Sequence, residues 1–149
     1  MSKKSTKKPK ALAKKTVTKV SISSDGEKPV WCFDKVDRDG VFSFTPNDNK
    51  FDSKLIMEKI ISYSSMTWRE ILNQKHDSQG KSKNHYLSNT EGISALAKDR
   101  IKKLKLEEYT DDIFSFALNN TVRMIGLKQG EKFYPVWYDD SHKFYPSKK

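Results

Sequence analysis

The residues with the clearest chemical potential lie near the C-terminus, in a stretch where apolar and polar side chains alternate. Arg123 lies within one predicted strand, Tyr138 lies within the next, and His142 follows just beyond its end. If the two strands pair around a turn at residues 128–131, Arg123 lies roughly opposite Tyr138, close to where His142 leaves the sheet. The pairing therefore predicts a patch on which guanidinium, phenol and imidazole groups converge.

A patch of this composition suits the cleavage of RNA without a metal ion. The reaction needs a base for the ribose 2′-hydroxyl, cations to offset the charge of the phosphorane, and an acid for the leaving 5′-oxygen. Arginine, histidine and tyrosine can fill these roles, and aromatic rings can also stack on unpaired bases. The candidate catalytic residues are therefore Arg123, Tyr138, His142 and Tyr145.

Each of these residues also has a plainer structural interpretation. Arg123 can be a salt-bridge residue, because an unpaired buried guanidinium is costly. His142 can be a turn residue after the strand, and the two tyrosines can be ordinary packing residues of the sheet and the C-terminus. The sequence leaves both interpretations open.

The distribution of charge adds a second kind of candidate, the residues that contact phosphate. The chain has 29 lysines and arginines against 19 acidic residues, and residues 1–28 hold nine of the lysines with only two acidic residues. Such a tail can bind a nucleic-acid backbone, or it can serve only as a solubilising leader. The candidate nucleic-acid-binding residues are Lys128, Lys132 and Lys143 in the body of the chain and Lys3, Lys4, Lys7, Lys8, Lys14 and Lys15 in the tail.

Membrane and secretory functions are disfavoured by what the sequence lacks. Its longest apolar run covers only residues 30–33, which is far too short to span a bilayer. No apolar stretch of signal-peptide length follows the N-terminal lysines. The single cysteine, Cys32, excludes an intramolecular disulfide and favours a reducing compartment. We therefore expect a cytoplasmic protein with no membrane partner.

Motifs for bound cofactors are also missing. The sequence has no Gly-rich phosphate loop and no nucleophile elbow, and His76, His85 and His142 are far apart. The adjacent carboxylates at 111–112 and 139–140 suit turns better than a paired acid–base site, because neighbours on a strand point to opposite faces. We therefore expect neither a metal ion nor a cofactor.

The first ordered elements are expected directly after the basic tail. The tail is too poor in apolar residues to fold and is expected to be disordered. Apolar residues on both sides of an Asp-Gly step at 39–40 predict a β-hairpin over residues 29–44. Apolar residues at helical spacing then predict a short helix near residues 55–61, with Asp52 or Ser53 as its N-cap.

Two further helices are predicted from capping boxes, in which a Ser or Thr precedes a Glu by three residues. Thr67 with Glu70 predicts a helix over residues 68–74, and the same spacing from Ser88 predicts a third helix that ends near residue 105. The middle of the chain is therefore helical.

Period-two alternation returns towards the C-terminus and predicts an antiparallel β-meander. Strands are expected over residues 113–118, 121–127 and 132–138, and residues 143–145 can add a short fourth piece. Pro135 has no N–H to donate, so its strand must lie at an edge or carry a bulge at that point.

These elements define one α+β domain over residues 29–149 behind the disordered basic tail of residues 1–28. Within residues 113–146 the chain resembles the C-terminal half of the RelE/ParE toxin superfamily. In that family, helices precede a meander, one strand bears an arginine, and the last strand leads to a short basic end that holds a histidine or tyrosine. The matching stretches are FSFAL (114–118), TVRMI (121–125), YPVWY (134–138) and HKFY (142–145).

The resemblance implies a RelE-like toxin, a bacterial endoribonuclease that cleaves messenger RNA on the ribosome without a metal ion. It also implies a partner antitoxin, here a small acidic protein. By position, Arg123 matches the strand arginine of the family, and His142 and Tyr145 are the nearest counterparts of its terminal acid and base.

Two alternative functions need no catalysis. One is a nucleic-acid- or ribosome-associated binding protein that uses the same basic surface. The other is a protein-interaction subunit in phage or mobile-element biology that docks through the edge of its sheet. A fold by itself does not decide between these functions.

Overall fold

The structure is a computed structural model that describes residues 23–75, 80, 82–87 and 89–146. This part of the chain contains five strands, three α-helices and two short 3₁₀ turns. The strands are β1 (Val30–Trp31), β2 (His85–Tyr86), β3 (Ile113–Ala117), β4 (Arg123–Gln129) and β5 (Lys132–Asp139); the helices are α1 (Ser53–Ser64), α2 (Trp68–Leu72) and α3 (Ala95–Lys103); the 3₁₀ turns are Thr90–Gly92 and Glu107–Asp112.

The five strands form one mixed sheet with the order β1-β5-β4-β3-β2. Strands β3, β4 and β5 are the predicted antiparallel meander, and β2 pairs antiparallel with β3. Strand β1 runs parallel to β5 at the other edge. The helix-plus-sheet architecture belongs to the α+β class that the sequence predicts.

The sheet buries apolar side chains on both of its faces. One face, the α1 face, carries Phe116 and Met124 beneath α1 and α2. The other, the α3 face, carries Ile113 and Leu127 beneath α3. Because both faces are covered, β3 is buried at every position, including the polar Ser115 at its centre.

The proline in β5 lies at an irregularity of the sheet. Ile125 pairs with Trp137, whereas Gly126 pairs with Pro135, so one residue of β5 has no partner on β4. Such a β-bulge accommodates a residue that cannot donate to the ladder. The predicted requirement for an edge or a bulge at Pro135 is confirmed.

The structure does not show the predicted N-terminal hairpin. Within residues 29–44 the only strand is β1, and the rest of the segment follows the outer edge of β5. The Asp37 N–H donates to the Val136 carbonyl at 2.8 Å, and the Tyr138 N–H donates to the Phe42 carbonyl at 2.9 Å. The segment therefore pairs with β5, which lies far away in sequence, and not with itself. The local apolar pattern is the same for a hairpin and for a segment that pairs with a distant strand, so the pattern alone does not distinguish them.

Helices α1 and α2 begin where the sequence predicts. The Asp52 carboxylate accepts the Leu55 N–H at 2.9 Å, which makes it the N-cap of α1. The Thr67 hydroxyl accepts the Glu70 N–H at 3.2 Å while the Glu70 carboxylate accepts the Thr67 N–H at 2.9 Å. The N-cap and the first capping box are confirmed, although α2 ends at Leu72.

We expect the Thr67→Ala variant to lose about 0.5–2 kcal/mol of folding free energy, because one first-turn amide loses its acceptor. The Thr67→Ser variant keeps a hydroxyl at the same place and should be close to the wild type. Urea unfolding of the three proteins measures the difference. Equal stability of all three would show that the capping box does not contribute.

Helix α3 begins later than predicted. Ser88 lies outside the described residues, and residues 90–92 form a 3₁₀ turn. Ser94 is the N-cap of α3, with its hydroxyl accepting the Ala97 N–H at 3.2 Å. The helix begins there because Ser94 has the extended backbone that an N-cap requires.

The last residues assigned to the tail pack against the domain. The first two amides of α2, from Trp68 and Arg69, donate to the carbonyls of Glu27 and Asp25 at 2.8 and 2.9 Å. These amides have no acceptor inside their own helix, so the preceding segment supplies one. Ordered contacts therefore begin before the predicted domain boundary. The expectation of disorder in residues 1–22 lies outside the described residues.

Candidate nucleic-acid interface

Arg123 is buried, and its guanidinium is bonded to the backbone. The residue is only 7 % exposed. It donates to the carbonyls of Asn119 at 2.7 Å, Val122 at 3.1 Å and Asn120 at 3.3 Å. Desolvation lowers the pKa of Arg123, and the nearby charge of Asp139 opposes this shift. The side chain therefore closes the turn between β3 and β4, and its Nη donors point to that turn.

Tyr138 lies on the opposite face of the sheet from Arg123. If the pairing that starts at the turn of residues 129–132 continued without a bulge, Arg123 would lie opposite Tyr138. The bulge instead places Arg123 opposite Asp139. A shift of one residue turns Tyr138 to the α1 face. There its hydroxyl accepts the Asp52 N–H at 3.1 Å, and desolvation raises the pKa of Tyr138. The structure does not bring Arg123 and Tyr138 together on one patch.

The residues after β5 form a fixed bend, which we call the hook (residues 140–146). The buried carboxylate of Asp139 accepts the N–H groups of Lys143 at 3.0 Å and Phe144 at 2.7 Å. His142 lies at the bend with φ of 63° and is half-buried. Asp139 therefore holds the histidine backbone at a defined place near the surface.

The hook packs against the N-terminal end of α3. The Phe144 carbonyl accepts the Ser94 N–H at 2.9 Å. The ring of Tyr145 lies so close to Gly92 that a Cβ atom there would approach it to 2.9 Å. Lys143 is exposed, and Tyr145 is half-buried. The hook therefore presents polar and aromatic groups at one end of α3.

Helix α3 carries a basic flank that the sequence analysis did not single out. Lys98 and Lys102 are both exposed and lie one turn apart, beside the buried apolar face of the helix. Lys103, on the far flank, lies 3.8 Å from the carboxylate of Asp99. The i, i+4 spacing of lysines within a predicted helix was the sequence signal that could have found this flank.

A partly buried ion pair joins α3 to the segment that follows the outer edge of β5. Arg100 donates from Nε and Nη2 to the two carboxylate oxygens of Asp37, at 2.9 and 2.8 Å. The indole N–H of Trp137 donates to the same carboxylate at 3.0 Å. The hydrogen bond to Asp37 raises the pKa of Arg100. Arg100 is therefore a structural cation that helps to keep the Lys98 flank towards solvent.

Lys128, a predicted phosphate contact, is buried inside the domain. It is 6 % exposed, and its ammonium lies 4.5 Å from the centre of the Trp68 ring. The ammonium donates to the Ser24 hydroxyl at 3.2 Å and to the Gly130 carbonyl at 2.9 Å. The prediction is corrected on this point, because a cation enclosed by an aromatic ring and two oxygens is not available to a phosphate.

The other two predicted lysines of the domain are exposed, as a phosphate contact requires. Lys132 begins β5 and Lys143 lies in the hook beyond its end, so the length of the strand, about 25 Å, separates them. They do not belong to one compact patch. The predicted tail contacts Lys3, Lys4, Lys7, Lys8, Lys14 and Lys15 lie outside the described residues.

Comparisons of the chain with protein-family models, with curated proteins and with solved structures find no match. In the described ranges, every helix is too short or too polar to cross a bilayer. The same ranges contain no group of three or more His, Cys, Asp or Glu residues placed to hold a metal ion. The fold and the site thus define an α+β domain with a basic surface at α3 and the hook.

Proposed function

We propose that the protein binds RNA through the exposed flank of α3 and the hook. The observation that carries the proposal is the placement of Lys98 and Lys102 on a helix whose N-terminal end packs against the hook. Lysines at these positions can neutralise phosphates and release counterions. Tyr145 adds an aromatic ring on which an unpaired base can stack.

The N-terminal tail strengthens this binding without forming part of the site. Residues 1–22 contain eight lysines and no acidic residue. A segment of this charge contacts phosphates without regard to sequence and raises the rate of encounter with a polyanion. The net charge of the whole chain, +10, favours the same class of partner.

The test is the affinity for a fluorescently labelled single-stranded RNA, measured at several salt concentrations. In the double variant Lys98→Ala/Lys102→Ala the log–log salt slope should become shallower by about 0.7 for each lost contact. The matched control is Lys50→Ala/Lys54→Ala, which removes the same charge at exposed positions beside the opposite face of the sheet. An equal loss in both variants would show nonspecific attraction without a site at α3.

A second candidate function is the metal-independent endoribonuclease of a RelE-like toxin, with an acidic antitoxin as partner. The observation that favours it is the hook itself, which holds a half-buried histidine at a fixed place beside α3. In this function His142 moves the proton, Tyr145 stacks a base, and Arg123 is a positioning residue for the neighbouring turn.

For this second function we expect His142→Ala to reduce RNA cleavage by about 10²–10⁴-fold, the usual effect of removing an acid or base. Purified protein is assayed on RNA with and without ribosomes, with and without EDTA, and for growth arrest in cells. Lys143→Ala is the control, because it should weaken affinity and leave the cleavage step intact. A wild type that neither cleaves RNA nor arrests growth refutes the nuclease and leaves the binding function standing.

A further inference from the structure

The centre of β3 holds a serine whose hydroxyl has no hydrogen bond to the described residues. Ser115 is only 4 % exposed, and none of these residues donates to its hydroxyl or accepts from it. A buried polar group in this state costs stability, whereas alanine would pack at the same place without that cost. The other four residues of β3 are apolar, so the serine interrupts the pattern of its strand. A catalytic role is one of the few explanations for such a group.

A histidine lies directly across from this serine on the neighbouring strand. His85 of β2 pairs with Ser115 of β3. Directly opposite residues of an antiparallel pair point to the same face of the sheet, with Cβ atoms about 4.5–5.5 Å apart. That face is the α3 face, because Leu87 and Ile113, the next residues to point the same way, pack there. Strand β2 is the outermost described strand on this side and His85 is half-buried, so the pair opens towards the edge of the sheet.

The imidazole of His85 is held in one tautomer by the backbone. Its Nδ1 lies 2.9 Å from the carbonyl oxygen of Tyr86. Because a carbonyl oxygen can only accept, Nδ1 carries the proton, and Nε2 of the neutral ring keeps a lone pair. None of the described residues hydrogen-bonds to Nε2. The ring is therefore prepared to act as a base, with a third group orienting it as in other nucleophile–base pairs.

We infer that Ser115 and His85 form a nucleophile–base pair for acyl transfer from an activated carboxylic ester. Ser115 Oγ bonds to the carbonyl carbon of the ester while its proton passes to Nε2 of His85. The bond to the leaving alcohol then breaks, the alcohol takes that proton, and an ester on Ser115 remains. Water attacks this ester by the same route and releases the acid and the free serine. This activity goes beyond the proposed RNA binding and does not depend on it.

The two side chains are not hydrogen-bonded to each other in the structure. The contact between a nucleophile and its base is often long in the absence of substrate and shortens in the complex. A change of the Ser115 rotamer moves Oγ relative to the ring without moving either strand. The cross-strand pairing fixes the two residues as neighbours, and substrate binding has only to select the rotamer.

The experiment measures labelling of the full chain by a fluorophosphonate, which reacts with a serine hydroxyl that a base activates. In this reaction Ser115 Oγ bonds to phosphorus, fluoride leaves, and His85 takes the proton. We expect mass spectrometry to locate the label on Ser115 and Ser115→Ala to lose it. His85→Ala should slow the labelling by at least about 100-fold. Added imidazole should restore part of that rate, which would not occur if the histidine were only structural.

Acyl transfer itself is measured with p-nitrophenyl acetate as the ester. The wild type should release nitrophenol faster than Ser115→Ala, which gives the background of the chain. Ser62→Ala removes an exposed serine of α1 and should react like the wild type in both assays. Ser115→Ala should melt at the same temperature as the wild type or higher, because the unsatisfied hydroxyl is gone.

Three results would overturn the inference. They are a wild type that is not labelled at Ser115, labelling that is unchanged in His85→Ala, and a Ser115→Ala variant that melts below the wild type. The last would show that the hydroxyl contributes to the fold. RNA affinity is measured separately, so none of these results decides the proposed RNA binding.

Discussion

Replacing Gly126 by alanine is expected to lower the melting temperature by about 10 °C or more, corresponding to about 3 kcal/mol. A Cβ atom at this position would overlap the carbonyl oxygen of Tyr134 and approach its carbonyl carbon to 2.8 Å and the Phe133 ring to 2.9 Å. A backbone carbonyl cannot rotate away as a flexible side chain can. The added methyl group therefore forces β4 and β5 apart at the bulge.

The matched control for this variant is Gly130→Ala, in the turn that joins the same two strands. Nothing lies within 4 Å of a Cβ atom there, so only the left-handed backbone, with φ of 62°, opposes the substitution. We expect a loss of about 1–2 kcal/mol. Thermal unfolding followed by circular dichroism measures both variants. If Gly126→Ala were as stable as Gly130→Ala, β4 and β5 would not approach each other as closely as the structure shows.

The second large effect is expected at Asp37, whose carboxylate is almost fully buried. In Asp37→Ala, Arg100 loses both of its hydrogen bonds to this carboxylate and the Trp137 indole N–H loses its acceptor. Removing one partner of a fully buried ion pair typically destabilises a protein by about 3–5 kcal/mol. Because the Arg100 side chain keeps contact with solvent, we expect the loss at the lower end of that range. The unsatisfied indole N–H contributes part of this loss. Denaturant unfolding gives the value directly.

Two comparisons define the origin of that loss. Asp39→Ala removes an exposed carboxylate two residues away and should change stability by no more than about 0.5 kcal/mol. The double variant Asp37→Leu/Arg100→Met replaces the pair by apolar side chains and should recover much of the stability, because it leaves no buried charge. A double variant as unstable as Asp37→Ala would mean that packing, not the unpaired charge, causes the loss.

The network of Asp37 also links stability to the proposed RNA surface. Arg100 lies on the same helix as Lys98 and Lys102, so its ion pair helps to determine which flank of α3 faces solvent. At a temperature where the Asp37→Ala variant is still folded, we therefore expect its RNA affinity to be lower than that of the wild type. We also expect the amide groups of α3 to be less protected from exchange. Amide exchange in α3 measures this protection independently of RNA.

Local signals in the sequence determined the parts of the fold that depend on neighbouring residues. The N-cap at Asp52 and the capping box at Thr67 were predictable because a cap is made between residues three positions apart. The meander was predictable from the alternation of apolar and polar residues and from its turns. Pro135 predicted an edge strand or a bulge, because it has no N–H to donate to a neighbouring strand. These features need no knowledge of what packs against them.

The tertiary structure decided which side chains are available for chemistry. The bulge shifts one register by a single residue and thereby separates Tyr138 from Arg123, since side chains alternate along a strand. Lys128 was expected at the surface, but its strand is covered on both faces and its ammonium lies over Trp68. Similar basic residues on α3 were overlooked although they stay exposed. The composition determined that this protein is basic. The packing of distant strands and helices determined which of its basic side chains are exposed to solvent, because burial depends on contacts that no local pattern encodes.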